Sequence, residues 1–216
     1  MARLRIGVLA SGNGTNFQTL VDRAQSGDLP VDIALVVYNN PDAPVALRAA
    51  RAGVPAVLLD HRRFASREAL DAAIVAALDA HGVELVVMAG WMRLVTSVLI
   101  ERFPDRILNI HPSLLPAFKG ARAIEQALAA GVKVTGCTVH LVRLEMDSGP
   151  IVAQAAVPVR EDDTPAALAE RIHAEEHRLY PEAVRWFAEG RVRIEGTRTC
   201  ILEAGHSVGP AHAPGG

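Results

Sequence analysis

Two short stretches carry an amide, an imidazole and a carboxylate that suit one another chemically. In "ILNIHPSLLP", Asn109 and His111 stand two apart on an apolar run, so a strand there points both side chains to one face. Pro112 then ends the run. In "LEMDSGPIV", Asp147 sits beside Ser148, Gly149 and Pro150, a composition that reads as a turn. An amide N–H stabilises a developing oxyanion. A histidine moves protons near neutral pH, and a carboxylate beside it stabilises the imidazolium. Taken singly, the same residues also fit a histidine bonded to a turn carbonyl, an asparagine capping a loop and an aspartate forming a turn.

The elements that must position these groups are legible as apolar runs. Strands are predicted over Leu4 to Ala10, Val31 to Tyr38, Pro55 to Leu59, Glu84 to Ala89 and Arg106 to Ile110. Helices are predicted near 15–26, 43–52, 66–80 and 97–102. This alternation implies an α/β fold, a doubly wound, mostly parallel sheet with helices on both faces. Asn109 and His111 then lie at the carboxyl end of a strand, where open parallel sheets bind their ligands. "KVTGCTVHLV" and "PIVAQAAVPV", joined through "EMDSGP", predict an antiparallel C-terminal strand pair. A long helix follows to about Ala188, opened by Asp163, Thr164 and Pro165, with a kink predicted at Pro181. Leu168, Ile172 and Leu179 form its apolar stripe. Glu176 falls on that stripe, and an acid on a buried seam calls for a polar ligand more than for escape to solvent at the helix's edge. A single domain over residues 1–196 and a flexible tail over 197–216, rich in Gly, Pro and Ala, are expected.

"LASGNGTNFQ" ends the first strand on a glycine corner. Gly12 and Gly14 begin like a dinucleotide fingerprint, but its third glycine falls at Phe17, and the second strand ends in Tyr38, Asn39 and Asn40 without the expected acid. That disfavours NAD. The free N–H groups at a helix start suit a single phosphate, with Thr15 and Asn16 adding short polar side chains. An ordinary strand-to-helix turn fits the stretch equally well.

Composition narrows the partners. The 216 residues are 50% hydrophobic, enough for one good core, and carry a dispersed net charge of −2, which leaves no footprint for nucleic acid or an anionic membrane. Cys137 and Cys200 form no CxxC pair, and Cys137 lies in an alternating strand that predicts a packed thiol. The short apolar stretch at the N-terminus leads directly into a strand, so a soluble cytoplasmic protein is expected.

The motifs "LASGNGTNFQ", "FASREALD", "VVMAGWMRLV", "ILNIHPSLLPAFKG", "LEMDSGPIVAQAAVPV" and "EEHRLYPEAVRWFAEGR" together resemble the folate-dependent formyltransferases, specifically the phosphoribosylglycinamide formyltransferases of purine synthesis. The resemblance spans all but the tail. It implies the formyltransferase fold, with Asn109, His111 and Asp147 as catalytic residues and Gly14, Thr15 and Asn16 as the phosphate loop. Glu176 matches an acidic contact to the glycinamide substrate. Arg67, the segment Met92, Arg93, Leu94 and Val95, then Asn109, and the loop Arg143, Leu144, Glu145, Met146 and Asp147 match the site for 10-formyltetrahydrofolate, the cosubstrate. Arg122 departs from the histidine that some members carry. The implied partners are small molecules, phosphoribosylglycinamide and folate, acting on a monomer or homodimer. In formyl transfer an amine attacks the formyl carbon, and the departing folate nitrogen gains a proton. Asn109 as oxyanion donor is then worth about 3 kcal/mol in the transition state. No metal or covalent nucleophile is required.

Rival readings make distinct demands. "HAEEH", His173 to His177, fits the inverted zincin pattern HxxEH but needs a third ligand. Methionyl-tRNA formyltransferase and formyltetrahydrofolate deformylase share the Asn, His and Asp constellation and normally carry a further domain, for which this chain leaves no room. A phosphate-ligand sensor on the same fold would keep the glycine corner but need no His111.

Overall fold

The computed structural model describes residues 3–203 and Gly205. Its order is β1 (Leu4–Ala10), α1 (Thr15–Gln25), β2 (Val31–Tyr38), α2 (Val45–Ala52), β3 (Ala56–Leu58), α3 (Arg67–Ala80), β4 (Leu85–Met88), α4 (Ser97–Arg102), β5 (Ile107–His111), α5 (Ala123–Ala129), β6 (Val134–Leu141), β7 (Ile151–Pro158), α6 (Pro165–Ala188), β8 (Val192–Glu195) and β9 (Arg198–Ile201). The strands form one sheet ordered β3-β2-β1-β4-β5-β6-β7-β9-β8. Pairing is parallel from β3 through β5, antiparallel for β5 with β6 and β6 with β7, and parallel again where β9 meets β7 at Ile151 and Arg198. The doubly wound, mostly parallel sheet with antiparallel C-terminal strands is the expected fold.

Strand parity builds two cores. Ile6, Val8 and Ala10 of β1 pack with Phe17 and Leu20 of α1 and with Leu168, Ile172 and Tyr180 of α6, whereas Leu9 packs with Leu70, Ile74 and Leu78 of α3 and with Leu99 of α4. A strand covered on both faces must be apolar at nearly every position, as β1 is. Thr164 caps α6 by accepting from the Ala167 N–H at 3.2 Å, with Pro165 in the first turn. The helix continues through Pro181 as one element. Tyr180 anchors it to the sheet: its buried hydroxyl lies 3.0 Å from the Met88 carbonyl and 3.1 Å from that of Leu108. No helix among the described residues is long and apolar enough to cross a membrane.

Strand pairing continues past residue 196, where the domain was expected to end. Gly196 is the turn of a hairpin: β8 pairs with β9, the Leu202 N–H donates to the Arg191 carbonyl at 2.9 Å, Arg191 Nε donates to the Leu202 carbonyl at 2.7 Å, and Thr199 Oγ1 donates to the Ile151 carbonyl at 2.6 Å. Ala204 and residues 206–216 of the expected tail lie outside the described residues. A chain ending at Gly196 loses β9 and is expected to melt roughly 5 °C lower, a loss of about 2 kcal/mol. One ending at Glu203 is expected to keep its Tm. Thermal unfolding by circular dichroism measures both.

Candidate active site

Parity along β5 sets the direction of its polar residues. Leu108 and Ile110 pack in the α6 core and Ile107 in the α3 core. Asn109 and His111 share the parity of Ile107. At the carboxyl end of the strand, that face borders a cleft of about 540 Å³, which both residues line. The same rule holds in β6. Cys137, Val139 and Leu141 join the α6 core, so Thr138 and His140 take the opposite face, where the register sets His140 opposite Asn109 and Thr138 opposite His111. Burial pushes the Cys137 thiol up to about 12, consistent with a packed, unreactive side chain.

Asp147 arrives on the connection between β6 and β7. Its backbone is left-handed at φ 51, and Gly149 behind it runs so close to the Leu141 carbonyl that any Cβ there would collide. Asp147 Oδ2 accepts from the Gly120 N–H at 2.7 Å and lies 3.5 Å from His111 Nδ1, while Oδ1 lies 3.6 Å from His140 Nε2. Phe118 and Arg122 share the left-handed conformation at φ 54 and 58. Three of the four non-glycine residues at positive φ among the described residues thus lie on the two loops joined by the Gly120–Asp147 bond, and strained backbone often occurs at functional sites.

His140 was not singled out from the sequence, yet it orders the cluster. Its Nδ1 faces the Leu141 carbonyl at 3.0 Å and must donate, which leaves Nε2 bare. Burial holds the ring below the ordinary histidine range, so it is a neutral acceptor. Nε2 lies 3.1 Å from Asn109 Nδ2 and accepts one of its protons. The second N–H of that amide is left for the cleft. His111 Nε2 donates to the Phe118 carbonyl at 2.8 Å, so the turn-carbonyl partner of an ordinary histidine is present and so is the carboxylate.

The glycine corner forms a second locus. Gly14 caps α1 at φ 71, and a Cβ there would meet Val45 Cγ2 at 2.5 Å. The Gly12 carbonyl accepts from the Val45 N–H at 3.2 Å and the Asn13 carbonyl from Arg48 Nε at 2.7 Å. Both carbonyls are thus turned toward α2. The N–H groups of Asn13 and Gly14, on the far sides of those planar peptides, point away from it. Thr15 opens α1. Asn16 Nδ2 donates to Glu176 Oε2 at 2.9 Å, and Asn16 Oδ1 is buried without a partner among the described residues.

Glu176 is 5% exposed. Burial raises its pKa, opposed by the Asn16 amide and by the charges of His173 and His111. Between the ordinary carboxylate range and the raised value, the unfolded chain is ionised while the folded one keeps its proton. The contribution to stability is therefore complete below that window and is lost as pH rises through it. Glu176→Gln is expected to flatten this slope, raising Tm at pH 8 relative to wild type more than at pH 4. Calorimetry across that range measures it.

Met92, Arg93, Leu94, Val95, Arg143, Leu144 and Met146 line the cleft with Asn109, His111 and Asp147. Trp91, Met88 and Val142 add apolar wall, and Trp91 Nε1 and Arg93 Nε are buried without partners among the described residues. The Arg143 guanidinium bonds Asp105 and the Val142 carbonyl. Glu145 turns outward to Lys119 at 3.2 Å and does not line the cleft. Arg67 is exposed in the first turn of α3, also outside the lining, as are Gly14, Thr15, Asn16 and Glu176. In "HAEEH" the rings of His173 and His177 stack with centroids 6.5 Å apart, and Glu176 is engaged by Asn16. No group of three His, Cys, Asp or Glu side chains is placed to hold a metal ion among the described residues.

Comparisons with known proteins converge. The phosphoribosylglycinamide formyltransferase of Haemophilus influenzae is 41% identical over 191 residues, 88% of this chain and 90% of that protein. The trifunctional purine biosynthetic protein adenosine-3 of Gallus gallus is 42% identical over 92% of this chain, which spans only 20% of that longer protein. The crystal structure of glycinamide ribonucleotide transformylase 1 from Symbiobacterium toebii superposes with a TM-score of 0.92 at 55% identity, covering 94% of this chain and 95% of the other. The formyl transferase family model matches residues 4–184, the sheet through β7 with nearly all of α6, and with it both loci; the chain belongs to the formyl transferase family.

Proposed function

We propose that this protein transfers the formyl group of 10-formyltetrahydrofolate to the amine of phosphoribosylglycinamide. The observation that carries the reading is the meeting of Asn109, His111 and Asp147 in the lining of one cleft. A cleft of about 540 Å³ with Met88, Trp91, Leu94 and Val142 in its walls suits a flat heterocycle with a reactive nitrogen. Met92 to Val95, Arg143, Leu144 and Met146 are the residues that would hold it, with Arg67 and Glu145 at greater remove. The corner of Gly14, Thr15 and Asn16 takes the acceptor's phosphate, and Glu176 with Asn16 takes its polar body. Small-molecule substrates and a cytoplasmic setting accord with this reading.

The reaction forms a bond from the acceptor nitrogen to the formyl carbon and breaks the bond from that carbon to the folate nitrogen. One proton leaves the amine and one reaches the folate nitrogen, so the sum is neutral. The free N–H of Asn109, fixed by His140, donates to the formyl oxygen as it becomes an oxyanion. His111 carries the proton, and Asp147 holds the ring and balances its charge. Both ring nitrogens of His111 are engaged, so delivery from Nε2 requires the Phe118 carbonyl to give way.

Asp147→Asn keeps the shape and removes the charge. It is expected to lower kcat at least about tenfold, with KM for the acceptor little changed, because the phosphate corner is a separate locus. Steady-state kinetics with each substrate varied measures the split. The whole reading is tested by following consumption of 10-formyltetrahydrofolate with and without phosphoribosylglycinamide. Consumption that depends on the acceptor supports it; consumption without acceptor indicates a deformylase.

A further inference from the structure

Asp71 is a buried carboxylate that the reaction above does not use. It is 2% exposed, one turn into α3 from Arg67. Its Oδ2 accepts both the backbone N–H of Thr96 at 2.5 Å and the Thr96 hydroxyl at 2.9 Å. Burial raises its pKa, and both Thr96 bonds act against that rise by favouring the ionised form. An acid kept in such a place needs a reason, because an apolar side chain would fill the space without the desolvation cost.

The segment that Asp71 reaches supplies the reason. Between Gly90 and Thr96 the chain belongs to no helix or strand, yet it lines the cleft from Trp91 to Val95. The backbone N–H groups of Arg93, Leu94 and Val95 make no hydrogen bond among the described residues. Two side chains fasten the segment. Ser11 Oγ accepts from the Met92 N–H at 2.9 Å at one end, and Asp71 holds Thr96 at the other. Met92 and Leu94 between these anchors are 77% and 50% exposed, so packing alone does not fix their course.

We propose that Asp71 is a positioning residue for the folate cosubstrate, fixing the Met92 to Val95 wall against α3 so that this wall and Arg67 keep one spacing. This rests on the function proposed above. The structure of the wall is then set in advance of binding, and the cost of ordering it is not charged against affinity.

The role predicts a selective effect. Asp71→Ala is expected to raise KM for 10-formyltetrahydrofolate about tenfold, while KM for phosphoribosylglycinamide stays within about twofold. Asp71→Asn keeps an oxygen that accepts from Thr96 and is expected to return KM for the cosubstrate to within about threefold of wild type. Equal rises in both KM values, or a lower Tm with both unchanged, would overturn the role. If Asp71→Ala fails to fold, Thr96→Val removes only the hydroxyl donor; a cosubstrate KM about threefold higher supports the role, and an unchanged one overturns it. Wild-type protein that neither binds 10-formyltetrahydrofolate in calorimetry nor turns it over overturns the functional reading and this proposal together. Wild-type turnover with unselective variants overturns only the proposal.

Discussion

His111→Ala is expected to lower kcat by about a thousandfold while changing KM for either substrate little, since a positioned proton carrier contributes roughly two to four orders of magnitude. The substitution removes the imidazole that the proposed mechanism uses as proton carrier, and neighbouring His140 cannot replace it because it donates its single proton to the Leu141 carbonyl. Water in the vacated space is a poorer acid and is not held by Asp147 in one orientation. The fold should survive. Ser113 Oγ also reaches the Phe118 carbonyl, at 3.4 Å, and bonds the Ala117 carbonyl at 2.6 Å, so the turn after β5 keeps a support when the imidazole is gone. Single-turnover kinetics with both substrates saturating isolates the chemical step. A rate within a few-fold of wild type would remove His111 from the proton path.

Asn109→Ala is expected to cost about a hundredfold to a thousandfold in kcat, the usual price of one oxyanion donor. The effect belongs to the transition state. A formyl oxygen accepts weakly in the ground state and strongly as it becomes an alkoxide, so KM should move much less than kcat. The Asn109 amide is held before substrate arrives, because the bare Nε2 of His140 accepts one of its protons. Asn109→Asp gives the stricter test. Aspartate has the same shape but can donate neither to His140 nor to the oxyanion, and its charge opposes the one that develops. It is expected to be no better than alanine. Steady-state kinetics of the two variants side by side reads this comparison, and an active Asn109→Asp would assign oxyanion stabilisation to another group.

Local pattern made β5 legible. Apolar alternation and the position of Pro112 placed Asn109 and His111 on one face at the end of a strand, and the two cores show that parity was the right guide. His140 carried the same kind of signal, since it falls out of phase with Cys137, Val139 and Leu141. Its meaning depended on the register of β5 with β6, which no local pattern specifies. Asp147 likewise reaches His111 only because Gly149 lets the connection pass against the Leu141 carbonyl. α5 was not predicted because it begins at Arg122 in a left-handed conformation with no side-chain cap, so the usual start signal is absent. β8 was not predicted and β9 was read as part of a tail, although "VRIEGTRTCI" alternates around Gly196. The Gly, Pro and Ala content that suggested mobility lies mostly after residue 202. Asp71 could not be assigned at all from sequence, because its partner is 25 residues away across the sheet end.

The account rests on one cluster carrying a formyl group between two molecules, and isotope transfer tests that directly. With a ¹³C-labelled formyl group on the folate and one equivalent of phosphoribosylglycinamide, the wild-type protein should place the label on the acceptor's amine nitrogen, mole for mole with folate released. The Asn109→Ala, His111→Ala, Asp147→Ala triple variant should bind both substrates and transfer none over the same interval. Label reaching the acceptor at the wild-type rate in that variant, or formate appearing in place of labelled acceptor in the wild type, would contradict the account.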